Sequence, residues 1–168
     1  KQGVQFVLEA IPNIIKIIPD FRFTIIGGGE YLDTLKNIAE KKGILRYCNF
    51  LGRIEKLEDV EKEIAKSTVA IAPYSKELDT WTYYADPGKV KTYLACGVPV
   101  LLTDIPWNAK EIAQVKAGEI ITLDPNEMAD AIVKLMDSKV NQQFRNNAIK
   151  YSKVFDYSMI FGELFKSM

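Results

Sequence analysis

The chain contains no histidine at all. That removes the side chain most often used as general base and metal ligand near neutral pH, and with it Ser-His-Asp hydrolysis and the common zinc sites. Cysteine is scarce: only Cys48 and Cys96 occur. Each stands alone in an apolar segment, so two buried reduced thiols are expected rather than a disulfide, in a cytoplasmic setting. Neither sign of charge is in excess, since Lys+Arg and Asp+Glu number 22 each. No global field therefore selects nucleic acid or an anionic membrane. No apolar run approaches the roughly 20 residues of a membrane span, and no signal peptide is visible. A P-loop, paired cysteines and clustered carboxylates are also missing.

What remains describes an ordinary soluble globular domain. With 168 residues, 48% hydrophobic and 26% charged, the chain is one domain able to bury a proper core. Its start is unusual, because Lys1-Gln2-Gly3 leads straight into a helical pattern without an initiator methionine or a preceding strand. A piece of a longer protein is the expectation.

Hydrophobic spacing predicts strands alternating with helices. A helix over about 3–18 ends at Pro19-Asp20 and is followed by a strand over 21–26. Gly27-Gly28-Gly29 then makes a sharp turn into a helix from about 30 to 42, closed by Gly43. A strand over 47–51 ends at Gly52-Arg53-Ile54, a charged surface helix over 55–66 follows, and a third strand covers 68–72. Residues 74–86 form an irregular aromatic loop carrying Tyr74, Trp81, Thr82, Tyr83 and Tyr84. Beyond residue 105 come a short helix near 107–114, a strand over 119–123 and helices over about 125–137, 141–154 and 157–167. This alternation predicts a three-layer α/β/α, Rossmann-like, doubly wound parallel sheet, with ligands beyond the carboxyl ends of its strands.

The stretch from Asp86 to Asp104 organises the rest. Pro87 suits a first helical turn, where its missing N–H has no intrahelical partner to lose, and Asp86 can cap the orphan amides. Val90, Tyr93 and Leu94 give one apolar face. Gly97 can take the positive φ that ends a helix, and Pro99 stops any continuation. Val98 to Leu102 then reads as a strand covered on both faces. A helix start carrying Gly88 and Lys89 also suits an anion, with free amides, a positive dipole end and a point charge. An ordinary capped helix with a solvated lysine explains the same residues.

Gly27-Gly28-Gly29 after a strand invites a dinucleotide reading, but the third glycine of G-x-G-x-x-G would fall on Leu32 or Tyr31. No acid closes the next strand to hold a ribose, because Leu51 and Gly52 stand there.

Taken together, the glycine turn, Asn49-Phe50-Leu51-Gly52-Arg53, Ala70-Ile71-Ala72-Pro73-Tyr74, Asp86-Pro87-Gly88-Lys89 and Tyr93-Leu94-Ala95-Cys96-Gly97-Val98-Pro99-Val100 follow one another in a telling order. This order resembles the C-terminal, nucleotide-sugar-binding half of GT-B glycosyltransferases of the group 1 (family 4) kind, over nearly the whole chain from Gly3 to about Phe155. The resemblance implies one nucleotide-sugar-binding domain over residues 1–168. It implies a retaining, metal-independent hexosyltransferase of polysaccharide or glycoconjugate biosynthesis, with a UDP- or GDP-sugar as donor and no other cofactor.

The acceptor, a glycan, a lipid-linked carrier or a small molecule, would meet an absent N-terminal domain, and the isolated chain would be inactive. The full-length protein would be cytoplasmic, with peripheral attachment at the inner membrane face as an option. By the same resemblance Gly28 and Gly29 admit the donor to the backbone, and the main chain at Arg53 and Ile54 holds the base. Asp86, Pro87, Gly88 and Lys89 lie at the diphosphate and sugar, with Lys89 stabilising transition-state charge.

Two departures stand out. Thr92 occupies the place of a glutamate that grips ribose hydroxyls, and Tyr84 the place of its partner glutamate eight residues earlier. The family's arginine and lysine clamp lies on a first strand that is missing here, with Lys1 as its only remnant and Gln2 before the glycine. The two rival readings are a non-catalytic nucleotide-binding or scaffolding domain, motivated by Thr92 and Tyr84, and an NAD-dependent oxidoreductase, motivated by the glycine turn alone.

Overall fold

The computed structural model describes residues 3–77 and 88–156. Among the described residues five short parallel strands, β1 (Phe23–Ile26), β2 (Cys48–Gly52), β3 (Ala70–Ala72), β4 (Val100–Leu102) and β5 (Gly118–Ile120), alternate with seven α-helices. The helices are α1 (Val4–Ile17), α2 (Leu32–Lys41), α3 (Leu57–Ala65), α4 (Gly88–Ala95), α5 (Ala109–Gln114), α6 (Pro125–Met136) and α7 (Ser138–Ser152). The predicted α/β class is observed, and so is its parallel character.

β4 shows how the layers form. Its three residues are fully buried, but alternation sends them opposite ways. Leu101 enters a cluster built from Val7, Leu8 and Ile11 of α1, Leu35 of α2 and Met128, Ile132 and Leu135 of α6. Val100 and Leu102 enter a second cluster with Val90 and Leu94 of α4, Ile112 of α5 and Ala148 of α7. Helices thus cover both faces. Burying a Leu or Val side chain contributes roughly 1.5–3 kcal/mol, so the two clusters hold the layers together.

Local chemistry sets the element ends. α4 stops at Gly97 (φ 68°), where Gly97 N–H donates to Leu94 O and Val98 N–H to Tyr93 O, each at 3.0 Å. This left-handed cap needs glycine, as the sequence indicated. Asp124 caps α6 by accepting from the amides of Asn126 (2.9 Å) and Glu127 (3.1 Å). Asp137 does the same for α7 through Lys139 and Val140 at 3.0 Å, so α7 begins three residues earlier than its hydrophobic spacing suggests.

Three differences from expectation matter. The strand expected at 119–123 lies at Gly118–Ile120. A Cβ on Gly118 would collide with the Val100 carbonyl, so this glycine lets β4 and β5 approach. The thiols of Cys48 and Cys96 are free, as expected, but half-buried rather than buried. Third, the sheet is not continuous. Among the described residues β1 pairs only with β2, while β3, β4 and β5 form a separate three-stranded ladder. The expected helix over 157–167 lies outside the described residues.

Candidate active site at the carboxyl edge of the strands

Parallel pairing puts the turns that leave β1 and β2 at one edge and those that leave β3 and β4 at one edge, and Ile26 and Pro73, at the ends of β1 and β3, line the same cavity. Gly27 N–H donates to Gly52 O at 2.8 Å and ties the first two turns together. Gly27 (φ 141°) and Gly29 (φ 115°) adopt backbone that side chains disfavour. A Cβ on Gly28 would reach ordinary contact, 3.7 Å, with Arg53 Cβ, so the glycine turn and the Arg53-Ile54 turn are neighbours. Arg53 itself points outward and pairs with Glu55, Nε to Oε1 at 3.1 Å, with both side chains three-quarters exposed. Its guanidinium is thus engaged at the surface. Ile54 is half-buried.

β3 is followed by Pro73 and Tyr74, and the Tyr74 side chain is buried. Thr103, at the end of β4, donates its hydroxyl to the Tyr74 carbonyl at 2.8 Å, which locks the two strand ends. Lys89, in the first turn of α4, holds its ammonium 5.6 Å from the centre of the Tyr74 ring. An ammonium over a ring face is attracted by the ring quadrupole. The residue keeps an exposed surface, yet the surroundings of its ammonium disfavour charge, and desolvation lowers its pKa. Burial, with Tyr93 nearby, pushes the Tyr74 phenol up to about 12, so it stays neutral beneath the lysine. An anion seated at this edge would favour the charged lysine again.

Thr92 donates its hydroxyl to the Gly88 carbonyl, one turn back, at 3.1 Å. Ile26, Pro73, Tyr74, Lys89 and Thr92 line one open cavity. Gly28, Gly29, Arg53 and Ile54 stand on the adjoining turns rather than on its wall. Tyr84, Asp86 and Pro87, together with Trp81, Thr82 and Tyr83, lie outside the described residues. In the sequence Tyr74 stood out only as part of the aromatic loop and of the Ala70–Tyr74 segment, and Thr103 only by its place just after a predicted strand. Among the described residues no group of three or more cysteine, aspartate or glutamate side chains could hold a metal ion.

The strand ends of this Rossmann-like domain thus bring the glycine turn, the Arg53-Ile54 turn, a helix start and a desolvated lysine to one region. Comparison with known families sharpens this: residues 1–138 match the model of the glycosyl transferases group 1, and the chain belongs to that family. It is 26% identical over 149 residues to the GDP-mannose-dependent monoacylated alpha-(1-6)-phosphatidylinositol monomannoside mannosyltransferase of Corynebacterium glutamicum. That match covers 84% of this chain and 36% of the relative, so the chain spans about a third of the length of its curated relatives.

Among solved structures, the C-terminal domain of the group 1 family protein LpcC from Francisella tularensis superposes with a TM-score of 0.75 at 20% identity. It covers 91% of this chain and 78% of that one. Anabaena HepE in complex with UDP gives a TM-score of 0.76 at 17% identity, covering 99% and 46%. These likenesses establish the GT-B half-fold. No helix among the described residues is long and apolar enough to cross a membrane.

Proposed function

We propose that this chain is the donor-binding domain of a glycosyltransferase that transfers a sugar from a nucleoside-diphosphate sugar. The observation that carries the reading is Lys89, held over the buried Tyr74 ring in the first turn of α4, at the strand edge that also bears the glycine turn. When the bond from the anomeric carbon to the diphosphate oxygen breaks, its electron pair leaves with the diphosphate. Helix amides at Gly88 and Lys89 and the lysine charge are already oriented toward that growing charge, so little reorganisation is needed and no metal is called for.

In this reading Gly28 and Gly29 let the backbone approach the donor, and the main chain at Arg53-Ile54 reads the base. The Corynebacterium glutamicum relative is GDP-mannose-dependent, and HepE was solved with UDP. A GDP- or UDP-sugar is accordingly the donor class. The acceptor, whether glycan, lipid-linked or small molecule, belongs to a second domain across the cleft. Retention at the anomeric carbon, a cytoplasmic site and peripheral attachment to the membrane are parts of the same proposal.

The test is an amide-resolved NMR titration of the chain with UDP, GDP and NADH in turn. Shifts confined to residues near 27–30, 52–54 and 88–92 with one diphosphate nucleotide and not with NADH support the reading and choose the base. A response to NADH alone would favour the oxidoreductase. No response to any of them, with Thr92→Glu restoring one, would favour a scaffold that has lost its donor site.

A further inference from the structure

Among the described residues Trp107 is the only aromatic side chain that stands exposed, with 64% of it in water. Its neighbours are anchored. Pro106, Asn108 and Ala109 are buried, and Ile105 packs against the core cluster shared by α4, α5 and α7. Two backbone bonds fix the turn: Ile105 N–H donates to Thr103 O at 2.8 Å, and Ala109 N–H to Pro106 O at 2.9 Å. The main chain at Trp107 is thus held on both sides while its indole is left out of the core.

A lone exposed apolar side chain is ordinary by itself; the position of this one is not. Trp107 stands in the turn that leaves β4, four residues past Thr103, whose hydroxyl bonds the Tyr74 carbonyl. Tyr74 in turn lies beneath Lys89. The two ladders run β2-β1 and β3-β4-β5, and residues of β1 and β3 face each other across the cavity that Lys89 lines. Along the edge the order is therefore Arg53-Ile54, the glycine turn, Lys89 and then Trp107. A nucleoside-diphosphate sugar has the same linear order: base, ribose, diphosphate, sugar. With the base at Arg53-Ile54 and the diphosphate at Lys89, the next turn along the edge receives the sugar.

The side chains there suit a sugar. A pyranose carries C–H groups on its ring faces and hydroxyls around its rim. Indole offers a large, rigid, apolar face to the first. Asp104 and Lys110 flank Trp107 in the chain and pair with each other at 3.7 Å, both exposed. A carboxylate accepts from hydroxyls and an ammonium donates to them, so both kinds of rim contact are at hand.

We propose that Trp107 is the platform on which the sugar of the donor stacks, a specificity-determining residue that rests on the donor-binding reading above. Trp107 lies outside the wall of the cavity that Lys89 and Thr92 line, so its contact is with the sugar and not with the diphosphate.

The test is calorimetric titration of the parent, Trp107→Ala and Trp107→Phe chains with UDP, UDP-glucose, GDP and GDP-mannose. The Kd of each sugar nucleotide divided by that of its bare diphosphate isolates the sugar. Trp107→Ala should raise this ratio about three- to tenfold and leave the diphosphate Kd unchanged. Trp107→Phe should restore most of the loss. The indole Nε1–H resonance of Trp107, identified by its disappearance in Trp107→Phe, should move with the sugar nucleotide and hold still with the bare diphosphate. Both variants should melt within about 2 °C of the parent, as an exposed side chain carries little of the fold.

An unchanged ratio in Trp107→Ala, with the diphosphates still bound, overturns this inference and leaves the donor-binding reading standing. A loss that falls equally on diphosphate and sugar nucleotide overturns it as well, because the residue then serves the phosphates or the fold. If none of the ligands binds the parent chain, the proposed function falls and this inference falls with it.

Discussion

Under the proposed function, replacing Lys89 by alanine separates folding from binding, because the two effects have different partners. Within the free domain the ammonium contacts the Tyr74 ring at 5.6 Å. A cation–π contact contributes about 0.5–1 kcal/mol where exposed and about 2 kcal/mol where desolvated, but here the desolvation that lowers the lysine pKa offsets part of the gain. Lys89→Ala should therefore lower stability by no more than about 1 kcal/mol, or about 2–4 °C in melting temperature for a chain of this size. Toward a diphosphate, on the proposed function, the same ammonium would make a charge-assisted hydrogen bond, worth about 1.5–3 kcal/mol. That corresponds to a rise in Kd of roughly 10- to 150-fold.

Desolvation sharpens the expectation. The lowered pKa of Lys89 means that the site disfavours an uncompensated cation, and a bound diphosphate reverses this. Calorimetric titration with GDP and UDP, and with the corresponding nucleosides, reads the difference. The loss should appear with the diphosphates and not with the nucleosides, and Lys89→Gln should reproduce most of it. A folded Lys89→Ala protein whose diphosphate affinity stays within twofold of the parent would refute the role given to this lysine.

Gly97→Ala should cost about 1–2 kcal/mol in urea denaturation, since a left-handed residue with a Cβ is strained. The new methyl also comes within 2.9 Å of Ile149 Cγ1, which is flexible enough to yield; a cost below half a kcal/mol would contradict the cap. Asp124→Ala removes acceptors for two amides of α6 and should cost about 1 kcal/mol by the same measurement. Alkaline pH should destabilise the fold: burial raises Cys48 from 9.0 to about 11 and Tyr74 from 10.0 to about 12. A pKa raised on folding gives stability that is complete below the unfolded value and lost above it. The loss therefore runs from pH 9 to about 11 for Cys48 and from pH 10 to about 12 for Tyr74. Lys89 runs the other way, its penalty easing as pH rises toward the unfolded lysine value. Cys48→Ala should flatten the melting temperature across the first window, and an unchanged slope would exclude Cys48 as its source.

Elements whose ends are written in local chemistry were legible from sequence. Gly97 and Pro99 bracket the α4-to-β4 connection by their own backbone rules, and Asp124-Pro125 announces α6. The errors fall where a distant neighbour decides. Gly118 reads as a poor strand residue, yet it is the first residue of β5, because the Val100 carbonyl leaves no space for a side chain. The first turn of α7 carries little apolar pattern, and Asp137 sets its start through two amides. The division of the sheet is a property of two strands far apart in the chain, and each strand alone looks complete. At the site, the glycine turn, Gly88-Lys89 and the carboxyl edge were all readable as local motifs. The Tyr74 platform beneath Lys89 was not, because it depends on a packing contact 15 residues away and on a hydroxyl from β4.

Thr92 bears on how the donor would be held. A hydroxyl has one proton and two lone pairs, and here the proton goes to the Gly88 carbonyl at 3.1 Å. Thr92 can therefore only accept from a ribose hydroxyl. A glutamate at this position would have no proton to engage its own helix and could accept from two hydroxyls at once with full charge. One neutral accepted bond contributes about 0.5–1.5 kcal/mol, against about 1.5–3 kcal/mol for each bond to a charged group. The ribose end of a donor would thus be held more weakly than by a carboxylate, and a larger share of affinity would fall to the phosphate end, where Lys89 and the first amides of α4 stand. Thr92→Ala should accordingly change diphosphate affinity far less than Lys89→Ala, and the reverse ranking would place the grip on the sugar rather than on the phosphates.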